Sequence, residues 1–68
     1  MIRTDKLRGL IAENNLSQAS LAAKLGMNPH TFYKKMDRGI FDSDEIYQMI
    51  EILHIEEPAS IFFAQEGA

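Results

Sequence analysis

Leu16-Ser17-Gln18-Ala19-Ser20-Leu21-Ala22-Ala23-Lys24-Leu25-Gly26-Met27-Asn28-Pro29-His30-Thr31-Phe32 is the stretch that decides how this chain folds. Ser17 is a residue type that caps a helix, because its hydroxyl accepts from an otherwise unpaired backbone N–H. Leu21, Ala22 and Leu25 then recur on one helical face. Ala22 and Ala23 favour helix and leave room for a close neighbour. Gly26 falls where the chain must leave the helix in a left-handed conformation. Asn28 is a second cap, and Pro29 follows it at the first helical position, where a missing N–H costs nothing. The second helix therefore begins at Pro29, with Phe32 and Met36 turned inward and His30, Thr31, Tyr33, Lys34 and Asp37 on the remaining faces. A small residue at the crossing, a tight turn and a polar, mildly basic outer face are the requirements of a helix-turn-helix. Such a second helix stands proud enough to enter a DNA major groove.

The same reading extends in both directions. Upstream, Thr4 reads as the cap of a first helix whose Leu7, Leu10 and Ile11 share a face, and Asn14-Asn15 reads as its stop. Gly9 within it either weakens the helix or admits another backbone. Downstream, Arg38-Gly39-Ile40-Phe41 reads as a connection. Asp42 and Glu45 then have the spacing of a capping box. Ile46, Met49, Ile50 and Leu53 are in helical register up to His54-Ile55-Glu56. Glu57-Pro58 restarts a short fifth helix that buries Ile61 and Phe62. No segment alternates apolar and polar residues over strand length, so the expected fold is all-α, one domain spanning residues 1–68.

Composition narrows the function. At 68 residues, the chain is expected to bury only about 60% of the surface it exposes when unfolded, enough for a binding module and too little for an enzyme assembled from distant loops. Apolar content of 46% with 25% charged residues is that of a folded domain. Cysteine is absent, which removes disulfides and thiolate metal sites and any sign of an oxidising compartment. No apolar run approaches the roughly 20 residues of a membrane span. A cytoplasmic location follows as an expectation. The net charge of −3 conceals a division. Residues 1–39 hold all seven cations (Arg3, Lys6, Arg8, Lys24, Lys34, Lys35, Arg38) against three acids, a net +4. Residues 40–68 hold seven acids and no Lys or Arg, a net −7. Such asymmetry fits a surface facing a polyanion and an acidic back, or unevenly scattered solvated charge.

The pattern Leu16-Ser17-Gln18, Leu21-Ala22, Leu25-Gly26-Met27-Asn28, then Thr31-Phe32, resembles the lambda-repressor-like (XRE/Cro/CI) family of helix-turn-helix domains nearly residue for residue. Phe41-Asp42-Ser43-Asp44-Glu45-Ile46 and Ile61-Phe62-Phe63 look like the short phage regulators of Gram-positive bacteria within it. The resemblance covers about residues 4–63. It implies a five-helix domain that binds double-stranded operator DNA, often as a homodimer. It also implies that Gln18 touches the DNA backbone and braces the recognition helix, and that Asn28, Pro29, His30, Thr31, Tyr33 and Lys34 lie at or beside the groove-facing positions. Two departures stand out. Pro29 sits where related domains often carry a polar reader, and His54 replaces the usual glycine after the fourth helix.

Each candidate has a plainer alternative. His30 contacts DNA or is an ordinary solvated helix residue. Tyr33 stacks on a sugar or thymine methyl, or half-buries against Phe32. Lys34 is a phosphate or guanine contact by position, whereas Lys35 can lay its stem over the core. Arg38, just past the helix, contacts phosphate or balances Asp37. Lys6 and Arg8 read as solvated or steering charges. His30 and His54 are 24 residues apart without cysteine or a paired histidine, so no metal site is expected. No serine has a neighbouring base and no glycine-rich phosphate loop exists, so neither catalysis, a cofactor nor a small-molecule ligand is expected. The expected function is a Cro/CI-like transcriptional repressor. If the chain is complete, it has no ligand-sensing module, and regulation by operator occupancy fits. The competing reading is a protein-interaction module, antirepressor- or antitoxin-like, on the same scaffold; the −7 half and the Phe62/Phe63 end support it. The homodimer expectation rests on surplus apolar surface at that end, with an interface from the fourth and fifth helices.

Overall fold

A computed structural model describes residues 2–63. Five helices follow one another: α1 (Thr4–Glu13), α2 (Gln18–Lys24), α3 (Pro29–Arg38), α4 (Ser43–Ile52) and α5 (Pro58–Phe62). No strand occurs among the described residues. Glu66, counted in the acidic half, lies outside them.

Helix starts follow local capping chemistry. Ser17 Oγ accepts the Ser20 N–H at 3.0 Å and Ser20 Oγ accepts the Ser17 N–H at 2.8 Å, a reciprocal box built from two serines. Asn28 Oδ1 accepts the His30 N–H at 2.8 Å, with Pro29 at the first position of α3. The Asp42 N–H donates to Glu45 Oε1 at 2.8 Å at the start of α4. At α1 the expectation needs correcting. Arg3, not Thr4, is the capping residue, and it offers no side-chain cap bond. Its guanidinium is drawn to Asp5 instead, and its N–H donates to Ile61 O at 2.7 Å, tying the chain's start to α5.

Helix ends share one device. In α1 to α4 an N–H just past the helix end reaches back to the fifth preceding carbonyl: Leu16 to Ile11, Met27 to Ala22, Ile40 to Lys35 and Ile55 to Ile50. This motif requires a left-handed residue just before the donor. Asn15 (φ 59°), Gly26 (φ 71°), Gly39 (φ 71°) and His54 (φ 54°) fill that place. His54 thus occupies a position that suits glycine, because a Cβ in left-handed backbone meets the carbonyl oxygen. The motif also corrects one expectation. Gly39 ends α3, so Arg38 is the last residue of that helix and not part of the connection. Of the two readings of Gly9, the close approach of another backbone is set aside, because Gly9 faces open space.

One hydrophobic core joins all five helices. Leu7 and Ile11 of α1, Leu21 and Ala22 of α2, Phe32 and Met36 of α3, Met49 of α4 and Ile61 and Phe62 of α5 are buried, with Phe41, Leu53 and Ile55 between elements. Leu25, expected in the buried stripe, is half-buried. Phe32 is wholly enclosed, and its ring packs against Phe41 at 5.5 Å between centroids, tilted by 54°. No polar or charged residue is buried among those described. Asn14 locks the far end, its Nδ2 donating to Leu10 O at 2.8 Å and to Leu53 O at 3.2 Å. No described helix is long and apolar enough to cross a membrane.

Candidate nucleic-acid interface

α3 presents the candidate residues because its sequence has one apolar stripe and no other. Phe32 and Met36 anchor the helix inward, while Pro29, His30, Thr31, Tyr33, Lys34, Asp37 and Arg38 are all exposed. Spacing of four puts His30, Lys34 and Arg38 on one ridge, on the side opposite Phe32 and Met36. None of the three is drawn into an ion pair among the described residues. Arg38 makes no ion pair with Asp37. Tyr33 is 46% exposed, and the ring that packs on Phe32 is that of Phe41.

One candidate, Asn28, has its chemistry partly committed. Asn28 Oδ1 accepts the cap bond of α3, and its amide N–H2 remains to donate outward. Gln18, the first residue of α2, is half-buried. α2 packs directly on α3, so the two N-termini that carry Gln18 and Asn28 belong to one packed pair. Neither helix has an acid in its first turn. The partial positive charge of each N-terminus is thus not offset from within the helix.

Lys35 departs from its neighbours. It does not lie free over the core. Its Nζ donates to Glu45 Oε1 at 2.9 Å and Oε2 at 2.7 Å, with Asp42 Oδ2 at 3.6 Å. The Glu45 carboxylate holds its pKa above the ordinary lysine value.

A second surface feature lies on α4 and α5. Phe41, Ser43, Ile46, Tyr47, Ile50, Pro58 and Phe63 line a groove of about 390 Å³ between α4 and α5. Tyr47 is 70% exposed and Phe63 64%. The signal was present: Ser43, Ile46, Tyr47 and Ile50 are spaced as a helical face beside the Met49/Leu53 stripe, so α4 has more apolar surface than one core contact uses. Of the terminal phenylalanines, Phe62 is buried and Phe63 is the free one. Among the described residues no group of three His, Asp or Glu is placed to hold a metal ion.

No family model matches the chain, and no curated protein or solved structure does so.

Proposed function

We propose that this protein is a sequence-specific regulator of transcription that binds double-stranded DNA: a lambda-repressor-like helix-turn-helix domain working as a Cro/CI-type repressor in the cytoplasm. The observation that carries the reading is the α3 ridge of His30, Lys34 and Arg38, exposed, without an ion pair among the described residues, and backed by a fully enclosed Phe32. A rigid helix with a basic outer ridge fits a major groove, where side chains reach base edges while flanking cations meet phosphate. Gln18 and the Asn28 amide would contact the backbone beside it, and Pro29, Thr31 and Tyr33 would contribute van der Waals contact. The protein acts by occupancy, with no cofactor or small-molecule effector in the proposal. A gel shift on duplexes selected from a random pool tests it. The expected result is enrichment of one sequence and loss of that preference in Lys34→Ala. Retention of no duplex at low salt would contradict it.

The partner proposal is a second copy of the chain, seated through the α4–α5 groove. The groove supplies both a knob, Phe63, and a depression to receive it, which a two-fold interface requires. A single module buries only about 600–1,000 Å² on DNA, and pairing doubles that with half-sites about 34–36 Å apart. Residues 40–68 hold no cation, so the contact would be apolar, weak in free solution and assisted by DNA. Sedimentation of wild type and Phe63→Ala, with and without a palindromic duplex, tests this. One protein per palindrome at saturation would contradict pairing and leave the DNA reading intact.

One observation favours a second reading. An apolar groove on an acidic half also suits a partner protein in place of DNA, the antirepressor- or antitoxin-like alternative. Its mark would be a protein that ignores every duplex and is unaffected by Lys34→Ala.

A further inference from the structure

We infer that Lys35 is a positioning residue that acts through Glu45 to set the angle of α3 against α4, and is not itself a contact to nucleic acid. The inference rests on the DNA-binding reading above. Glu45 is the centre of the arrangement. It takes both Lys35 bonds and also accepts the Asp42 N–H at 2.8 Å, so one carboxylate holds the last turn of α3 and the first turn of α4 together. Its side chain is 15% exposed and that of Lys35 27%, so water and salt screen this pair less than they screen a surface pair. A lysine held this way has its charge neutralised inside the protein. Lys34 and Arg38 have no such partner among the described residues; Lys34 is turned about 100° around the helix from Lys35, while Arg38, three residues on, is its neighbour.

The consequence is geometric. α3 and α4 are joined by the short loop over residues 39–42, with the Phe32–Phe41 ring contact and the Lys35–Glu45 pair on the same seam. The exposed ridge lies on α3 and the proposed pairing groove on α4. The angle between these two helices therefore sets how two ridges would stand relative to one another in a pair, and how each would enter its half-site. Small errors in such an angle cost affinity for the fitted sequence and leave unspecific phosphate attraction largely in place.

The test uses a duplex that the wild-type protein selects from random DNA. Affinity for it and for random duplex is measured over a range of salt, beside the thermal melt of each variant. Lys35→Met keeps the stem and removes the charge. Glu45→Gln removes the charge and keeps an oxygen for the Asp42 N–H. Both should lower affinity for the selected duplex by roughly tenfold, as coupled positions do. Binding to random duplex and the slope of log K against log salt should stay as in wild type. Lys35→Arg keeps the pair and should retain wild-type affinity. A phosphate-contacting Lys35 gives opposite signs. Lys35→Met then weakens binding and reduces the slope by about 0.9, while Glu45→Gln frees a cation and tightens binding. That outcome overturns the inference and leaves the α3 ridge standing. If Lys35→Met does not fold, Lys35→Gln is read in the same way. If the wild type selects no sequence, the DNA reading itself fails and the inference with it.

Discussion

The two sides of this small fold expose opposite kinds of surface from helices of the same length. α3 and α4 are each ten residues long, and each buries part of itself in the shared core. α3 commits Phe32 and Met36 to that core, leaves Tyr33 exposed, and turns a polar, cationic ridge outward. α4 has apolar residues left over, Ile46, Tyr47 and Ile50, and shares them with Phe63 of the α5 end. Tyr47 and Phe63 stay exposed and, with Ile46 and Ile50, form an apolar patch outside the shared core. One side is suited to a charged, hydrated ligand and the other to an apolar one. The Lys35–Glu45 pair is where the two sides meet.

The largest expected effect breaks both sides at once. Phe32→Ala removes the enclosed ring that anchors α3, and should cost about 3–5 kcal/mol, enough to unfold a domain of this size in a denaturant or thermal melt. Substitutions on the ridge separate the two sides. Lys34→Ala and His30→Ala should each cost about 1–3 kcal/mol of specific DNA binding, as titrated by fluorescence anisotropy, and leave the melt within about 0.5 kcal/mol of wild type. Gln18→Ala should weaken selected and random duplex alike. Equal losses on both duplexes for all three variants would remove α3 as the reader. Phe63→Ala should leave monomer stability and monomer DNA contacts near wild type and abolish pairing on a palindrome, a result visible by sedimentation.

Two smaller effects sharpen the account of how the fold is held. His54→Gly should stabilise the protein by roughly 1 kcal/mol, because glycine takes the left-handed backbone at that place without a Cβ contact. A lower melting temperature would mean that the His54 side chain contributes more than its backbone strain costs. At the chain's start, the Arg3 guanidinium lowers the Asp5 carboxyl from 3.8 to about 2. A carboxyl depressed on folding stabilises the native state above its unfolded value, and that contribution is lost as pH falls through the folded value. Acid titration followed by NMR should place the Asp5 midpoint near 2, with the α1 start loosening between about pH 4 and 2, and Asp5→Asn should remove the step. Both groups are exposed, so the energetic consequence is small. Lys35 behaves in the reverse sense. Its raised pKa makes its contribution complete below 10.5 and lost only as pH rises through the folded value.

Local chemistry made most of the fold legible in the sequence. Ser17, Asn28 and Asp42 announce helix starts because an N-cap bond spans only two or three residues. Gly26 and Asn15 announce ends because left-handed backbone restricts residue choice. Thr4 misled for the same reason: its type suits a cap, but the distant Ile61 carbonyl claims the Arg3 N–H and shifts the helix start. The α3 face was legible from the spacing of Phe32 and Met36. The Lys35–Glu45 pair was not, since it joins residues ten apart across a seam whose angle depends on the whole core. Tyr47 escaped notice because Ile46 and Ile50 serve two faces of α4, and a single-stripe reading accounts for them with one.

The central claim is that the α3 ridge meets a phosphate-bearing duplex, and the salt dependence of binding tests it most directly. With three to five cations on phosphate per copy, log K against log salt should fall with a slope of roughly −3 to −5 per monomer, and Lys34→Ala or Arg38→Ala should make it shallower by about 0.9 each where the lost side chain touched phosphate. A slope near zero, unchanged by either substitution, would contradict the account.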